Sequence, residues 1–243
     1  MKVYIRVGLL MCLFSGQSMG QYLTGHELLS KAKMNAINTY HSNIKFHSGL
    51  YNGKKYLGDK YFFQNNGHPF FISKQAIKGS VVYDGVLYSD ITLLYDEVLG
   101  ELVFKDFSKK IQLLKNLVTE FSVAGHSFVN IISDQNLVEN GYYQKLNIGH
   151  YSVLKMEKKV ILEDISSARD GIKRSIIQNY IFLIKQGDVY HPIKKKKDLL
   201  SITTFTKKET QELIKSKRLK FKKNRSALLI EVCQYYNRQI SGK

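Results

Sequence analysis

The sequence predicts a mainly β fold with some α (α+β). The expected form is an antiparallel meander that makes a curved sheet, sandwich or partial barrel, followed by a helical C-terminal segment. Three observations carry this. Short apolar and aromatic runs alternate with turn residues about every 8–12 positions, giving roughly ten strands. No strand–helix–strand alternation occurs, which argues against a parallel sheet. From Lys194 onward the apolar spacing changes from about two to three and four.

The stretch that organises the meander is Gly79 to Asp106. Val81, Val82 and Tyr83 run into Asp84-Gly85, a strong hairpin signal because both turn positions tolerate positive φ. Val86 to Tyr95 returns. Asp96-Glu97 and Gly100 bracket a second polar reversal, and Leu102, Val103 and Phe104 make the third strand.

Ahead of it, residues 21–43 carry Leu28, Leu29, Ala32, Ala36 and Ile37 at helical spacing, with Thr24 and Glu27 placed as a capping box. Tyr61 to Phe63 reads as a strand ending at Asn66-Gly67, and His68 to Ile72 as an edge segment, since Pro69 cannot donate to a ladder. Beyond the meander, Lys109 to Val118 sits among strands and is read as one. Hairpins follow around Ala124-Gly125, Asn147 to Gly149 and Gly187-Asp188, and 165–173 reads as a polar loop. In the tail, Thr206 to Glu209 matches a capping box, and Asn224 or Ser226 caps the last helix. Leu229, Val232, Cys233, Tyr236 and Ile240 line one helical stripe that needs a sheet face to cover it.

The first twenty residues read as an export signal. Lys2 and Arg6 precede the apolar run Val7 to Phe14, and Ser18-Met19-Gly20 places cleavage after Gly20. Cys12 lies inside the apolar run after Met11, which does not suit lipidation. The run is shorter than the roughly 20 residues of a membrane span. Three segments result: 1–20 signal, 21–193 a β-rich domain with a short N-terminal helix, and 194–243 a basic helical segment packed on the sheet. The location expected is periplasmic or outer-envelope associated. Only Cys233 follows the signal, so this chain makes no internal disulfide and its fold must hold by burial.

The net charge of +17 is unevenly spread. From His150 onward there are 22 Lys and Arg against 9 Asp and Glu, whereas residues 21–149 are nearly balanced. An exported basic segment suits an envelope protein or an anionic lipid or glycan as partner, and export argues against nucleic acid. The densest cluster is Lys194, Lys195, Lys196 and Lys197 with Lys215, Lys217, Arg218, Lys220, Lys222, Lys223 and Arg225. These are the candidate anion- or partner-binding residues. Leu219-Lys220-Phe221-Lys222 reads as extended, with apolar side chains inward and lysines outward.

Several segments together carry a resemblance. They are Gly141 to Leu146 with Val153-Leu154-Lys155, Tyr180-Ile181-Phe182, Lys185 to Tyr190, Lys194 to Leu200, Leu219 to Lys223 and Tyr235-Tyr236-Asn237, together with the YDG and YDEVLGELV elements of the meander. In these the chain resembles uncharacterised exported proteins of Bacteroidetes-type bacteria with a β-rich body and a Lys-rich helical C-terminal module. The resemblance implies an envelope location and carries over no catalytic residue.

No catalytic or metal-binding motif stands out, and no cofactor is expected. His26-Glu27 lacks the second histidine of a zinc-binding helix, and His41 and His47 fit no ligand spacing. His126 and Ser127, adjacent on a strand, point to opposite faces. There is no nucleophile elbow, P-loop or dinucleotide fingerprint. The reading is an exported, non-enzymatic binding or scaffold protein. The alternative is an envelope hydrolase acting on glycan or peptide, drawing carboxylates such as Asp84, Asp90, Asp96, Glu97 and Glu101 into one cleft. An outer-membrane barrel is disfavoured because the chain ends in a helix and its strands read as shorter than about 9–11 residues.

Overall fold

The structure, a computed structural model, describes residues 32–34, 48–58, 67–135, 137–164, 173–202 and 205–242. The chain divides into two compact units, Met1–Ile44 and Lys45–Lys243. In the first, residues 32–34 are helical, within the helix expected over 21–43. The signal segment, the capping box at Thr24, the strand at Tyr61 to Phe63 and most of the polar loop at 165–173 lie outside the described residues.

The second unit is built on an open sheet of eleven strands, all antiparallel, in the order β1-β5-β4-β3-β2-β6-β7-β8-β9-β10-β11. The strands are β1 (Lys54–Lys55), β2 (Ile77–Tyr83), β3 (Val86–Asp96), β4 (Glu101–Asp106), β5 (Lys109–Gln112), β6 (Val118–Val123), β7 (His126–Ile131), β8 (Gly141–Lys145), β9 (Tyr151–Asp164), β10 (Lys173–Gln186) and β11 (Val189–Pro192). The fold class is therefore as the sequence predicts. Asp84 and Gly85 both take positive φ, 50° and 74°, and so join β2 to β3 in two residues. At Gly79 an added Cβ would lie 2.1 Å from the Ser122 carbonyl, so only glycine lets β6 pair so closely there.

Lys109 to Val118 is only partly a strand. After β5 the chain makes a 3₁₀ turn at Lys115–Leu117, which carries it across to place β6 beside β2. Strand length also differs from expectation. β3 has 11 residues and β9 and β10 have 14 each, because β9 and β10 continue as a ribbon beyond the part of β9 paired to β8.

The sheet curls strongly. Tyr95 on β3 meets Phe121 on β6, Phe128 on β7 and Tyr142 on β8, with ring centroids 5.4–5.7 Å apart. These aromatics fill the inside of the curl with Leu93, Leu102 and Val118. The curl brings the end of β3 against β9, five places further along the sheet. There the Lys159 amide donates to the Glu97 carbonyl at 3.1 Å, and Lys159 Nζ lies 2.9 Å from Glu97 Oε2. These two side chains are only 7% and 2% exposed. Lys159 Nζ also donates to the Phe70 carbonyl, the Glu97 amide donates to the Pro69 carbonyl, and Phe70 bridges Asp96. Asp96 accepts from Tyr56 OH and from the amides of Val98 and Leu99.

The acidic pair expected at a solvated reversal is thus buried. Burial pushes the Glu97 carboxyl up to about 7, against the opposing pull of Lys159, and burial followed by the Lys159 charge holds His68 below its ordinary range. A second core lies on one face of β9 and β10. Helices α1 (Lys196–Leu200), α2 (Lys207–Ser216) and α3 (Arg225–Ser241) cover Tyr151, Val153, Phe182 and Ile184 with Leu228, Leu229, Val232, Cys233 and Tyr236. Of the expected stripe, Ile240 is 45% exposed, because the helix has run past the sheet by its last turn. The capping box at Thr206 does not form: its side chain makes no cap bond, and its carbonyl accepts from the Thr210 amide and Tyr236 OH. Asn224 occupies the N-cap of α3, again without a side-chain cap bond.

Asn237 clips α3 to the sheet. Its Oδ1 accepts from the Tyr151 amide at 2.7 Å and its Nδ2 donates to the Tyr151 carbonyl at 2.9 Å, replacing a missing strand partner. Among the described residues no helix is long and apolar enough to cross a membrane.

Two outcomes are expected. Asn237→Ala should lose about 1–3 kcal/mol in urea unfolding, because the Tyr151 amide loses its partner while the Tyr151 carbonyl keeps only the Asn147 Nδ2 bond. For the buried pair, a Glu97 pKa raised from 4.5 to about 7 means that the folded state holds a proton the unfolded state has released across that window. The contribution of Glu97 to stability therefore falls as pH rises through it. Lys159→Met should cost about 3–5 kcal/mol at pH 8, where Glu97 is left as a buried unpaired charge. It should cost much less at pH 5, and a Glu97→Gln, Lys159→Met double variant should recover most of the loss at pH 8. Equal losses at both pH values would contradict this.

A candidate anion-binding groove at the start of the last helix

Between α2 and α3 the chain reverses through a turn in place of the expected extended segment. Arg218 takes φ 53°, and the amides of Lys223 and Asn224 both donate to the Lys220 carbonyl. The predicted division of side chains holds within that turn. Leu219 and Phe221 pack against the helical core, while Lys220, Lys222 and Lys223 are exposed. Arg225, the first residue of α3, lays its guanidinium over Phe221 at 4.7 Å and Phe182 at 5.4 Å. The stacking holds its position while the donor edge stays available.

Beside it runs a groove of about 630 Å³, lined by Lys155, Gln178, Tyr180, Lys222, Lys223 and Arg225. Lys155 sits over the Tyr180 ring at 5.4 Å and pairs with Glu157 at 3.5 Å. A second cavity of about 580 Å³ shares Tyr180, Phe182 and Arg225 with the first, so together they wrap around β10. Its other walls include Leu137, Val138, Ile193 and Lys194. Among the described residues, Lys194, Lys222, Lys223 and Arg225 make no ion pair.

The eleven predicted cations therefore do not share one face. Lys222, Lys223 and Arg225 meet at the groove, with Lys194 across the shared wall. Lys196, Lys215, Arg218 and Lys220 border a separate shallow recess with Ile214 and Leu219. Lys217 is taken up by Glu231 at 3.0 Å. Lys195 and Lys197 are exposed; the amides of Lys194 and Lys195 donate to Asp198, and chiefly the Lys195 bond holds that carboxyl below its ordinary range. Lys155, Tyr180 and Phe182 belong to the groove and were not among the predicted site residues. Their strand position gave no hint of a neighbour more than 40 residues away.

The acidic side of the molecule is differently arranged. A cavity of about 170 Å³ beneath the β3–β4 turn is lined by Glu97, Glu139 and Glu157 together with Lys115 and Lys158. Each carboxylate has its own lysine: Glu97 with Lys159, Glu139 with Lys158, Glu157 with Lys155. Among the described residues no group of three His, Cys, Asp or Glu side chains could hold a metal ion; His26, His41 and His47 lie outside them. Cys233 is buried, and burial pushes its thiol up to about 12, so it acts as a small apolar side chain.

No family model, curated protein or solved structure matches the chain. The functional reading therefore rests on the groove.

A reagent that titrates thiols should leave Cys233 unmodified in the folded protein and react within minutes in denaturant. Rapid reaction in the native state would contradict the packing of α3 on the sheet.

Proposed function

We propose that this is an exported, non-enzymatic binding or scaffold protein of the cell envelope, whose basic C-terminal segment contacts anionic envelope components. The observation that carries the reading is the groove itself. Arg225 is stacked over two aromatic rings, and among the described residues Lys222 and Lys223 stand beside it with no carboxylate partner. A lysine that only solvates a surface needs no such support, whereas a guanidinium held in place by stacking is set up to bind phosphate or carboxylate with two hydrogen bonds. The signal-like first twenty residues and the resemblance to exported Bacteroidetes-type proteins support the location.

Electrostatic binding of this kind weakens with salt. The purified mature protein should co-sediment with vesicles containing anionic phospholipid and not with purely zwitterionic ones, and release should increase with ionic strength. Lys222→Ala, Lys223→Ala, Arg225→Ala together should weaken binding by about a hundredfold, since each cation near an anionic surface contributes about 1 kcal/mol. Lys217→Ala, whose charge is already met by Glu231, should change it little. Equal binding by the triple variant and the parent would remove the groove from the account.

A further inference from the structure

β9 pairs with β10 along its whole length, Lys173 to Gln186. On the other side of β10, β11 pairs only with Leu183 to Gln186. One more rung follows, the Ile193 amide donating to the Phe182 carbonyl at 2.9 Å, and the chain then turns away into α1. Beside Ser175 to Ile181, no described strand occupies the lane that β11 would have continued.

Antiparallel strands send the backbone groups of successive residues to alternate sides. Because the Phe182 carbonyl points into this lane, the N–H and C=O groups of Tyr180, Gln178 and Ile176 point there too, while those of Ile177, Asn179 and Ile181 go to β9. Exposed edges in proteins are normally blunted by charge, proline or a bulge. Ser175 to Ile181 (SIIQNYI) has no charge and no proline, and its register with β9 is unbroken.

The two sides of the lane differ chemically. On the helix side stand Arg225, Lys222, Lys223 and Lys155. On the opposite side stand Leu137 and Val138, with Glu139 beyond them engaged by Lys158. A strand laid in the lane would present alternate side chains to the two sides. We infer that the lane beside β10 is a docking strip for an extended acidic segment of a partner protein, added to the sheet as a strand with acidic side chains toward Arg225 and its lysine neighbours and apolar ones toward Leu137 and Val138. The backbone supplies affinity and the two walls supply sequence preference. A second copy of this chain is a poor occupant, since each carries a net charge of +17. The inference rests on the anion-binding reading of the groove for its charge term and, for the rest, on a strand edge that no described strand pairs.

The test uses the mature protein and a fluorescein-labelled eight-residue peptide of alternating glutamate and valine, read by fluorescence anisotropy at about 150 mM salt. Two controls accompany it: a block isomer of identical composition, and the alternating peptide with every second amide N-methylated. The alternating peptide should bind at least about tenfold tighter than the block isomer, a difference attributable to register and not to charge. N-methylation in the register facing β10 should remove most of the binding. Lys222→Glu with Lys223→Glu should weaken the peptide by tenfold or more while leaving the unfolding midpoint unchanged. Gln178→Pro, which deletes one amide of the lane, should weaken binding of the alternating peptide alone.

Equal binding of the two isomers, or indifference to N-methylation, would overturn the inference and leave only adsorption to a basic surface. A dimer in sedimentation equilibrium that Gln178→Pro dissociates would overturn it in favour of a second copy. Vesicle binding retained with no peptide binding would defeat the docking strip but not the anion-binding groove; loss of both would defeat both.

Discussion

The architecture depends on one buried ion pair. An eleven-strand antiparallel sheet can remain open and only gently twisted, and nothing in the strand order requires β3 to meet β9. Glu97 and Lys159 make that contact, with a backbone hydrogen bond between the same two residues and a lysine bond to Phe70. Two charges taken out of water lose a large solvation energy, so such a pair specifies geometry more than it adds stability. Here it specifies which point on the long ribbon of β9 and β10 is fastened to the curl. Gln178 on β10 is the partner of Lys159, so the fastening point lies within the stretch Ser175 to Ile181, on the far side of β9 from the lane beside β10.

The second core follows from the same ribbon. Its near half has one face covered by α3, and Asn237 completes the backbone pairing of Tyr151 that no strand supplies. With α3 set by that clip and by its apolar stripe, the first residue of the helix falls over Phe182. That is how Arg225 comes to be stacked there and how Lys222 and Lys223 come to face Tyr180. The basic groove is a product of where the helix must start for its stripe to be covered.

Much of the fold was legible in the residues. Asp84-Gly85 and Ala124-Gly125 mark two-residue hairpins because both positions of each turn need positive φ, and both pairs have it. The helical stripe from Leu229 to Tyr236 was legible for the same kind of local reason, a spacing of three and four. What could not be read was long-range. Asp96 and Glu97 look like polar turn residues, and only their contact with β9 and with Phe70 buries them. The run from Lys109 to Val118 carries apolar residues suited to a strand, yet the need to cross to the far side of β2 breaks it at Lys115. The candidate site was half legible. The density of lysine after His150 pointed to the tail, but spacing along the chain could not show that Lys217 is met by Glu231 while Lys222 and Lys223 find no carboxylate among the described residues. The strand-borne part of the groove, Lys155, Tyr180 and Phe182, had no local signal at all.

The central claim is that β10 is paired on one side along its whole length and, among the described residues, carries no strand on the other beyond Phe182. Amide hydrogen exchange in the free mature protein, resolved residue by residue, tests this most directly, because paired amides in a sheet are protected and open ones are not. The account requires alternation along a single strand: slow exchange at Ile177, Asn179 and Ile181, fast exchange at Ile176, Gln178 and Tyr180, and slow exchange at Lys159 where the curl is fastened. Uniform protection from Ile176 to Ile181 would mean that the lane is already filled, and uniform fast exchange would mean that the ribbon is not formed; either would contradict it.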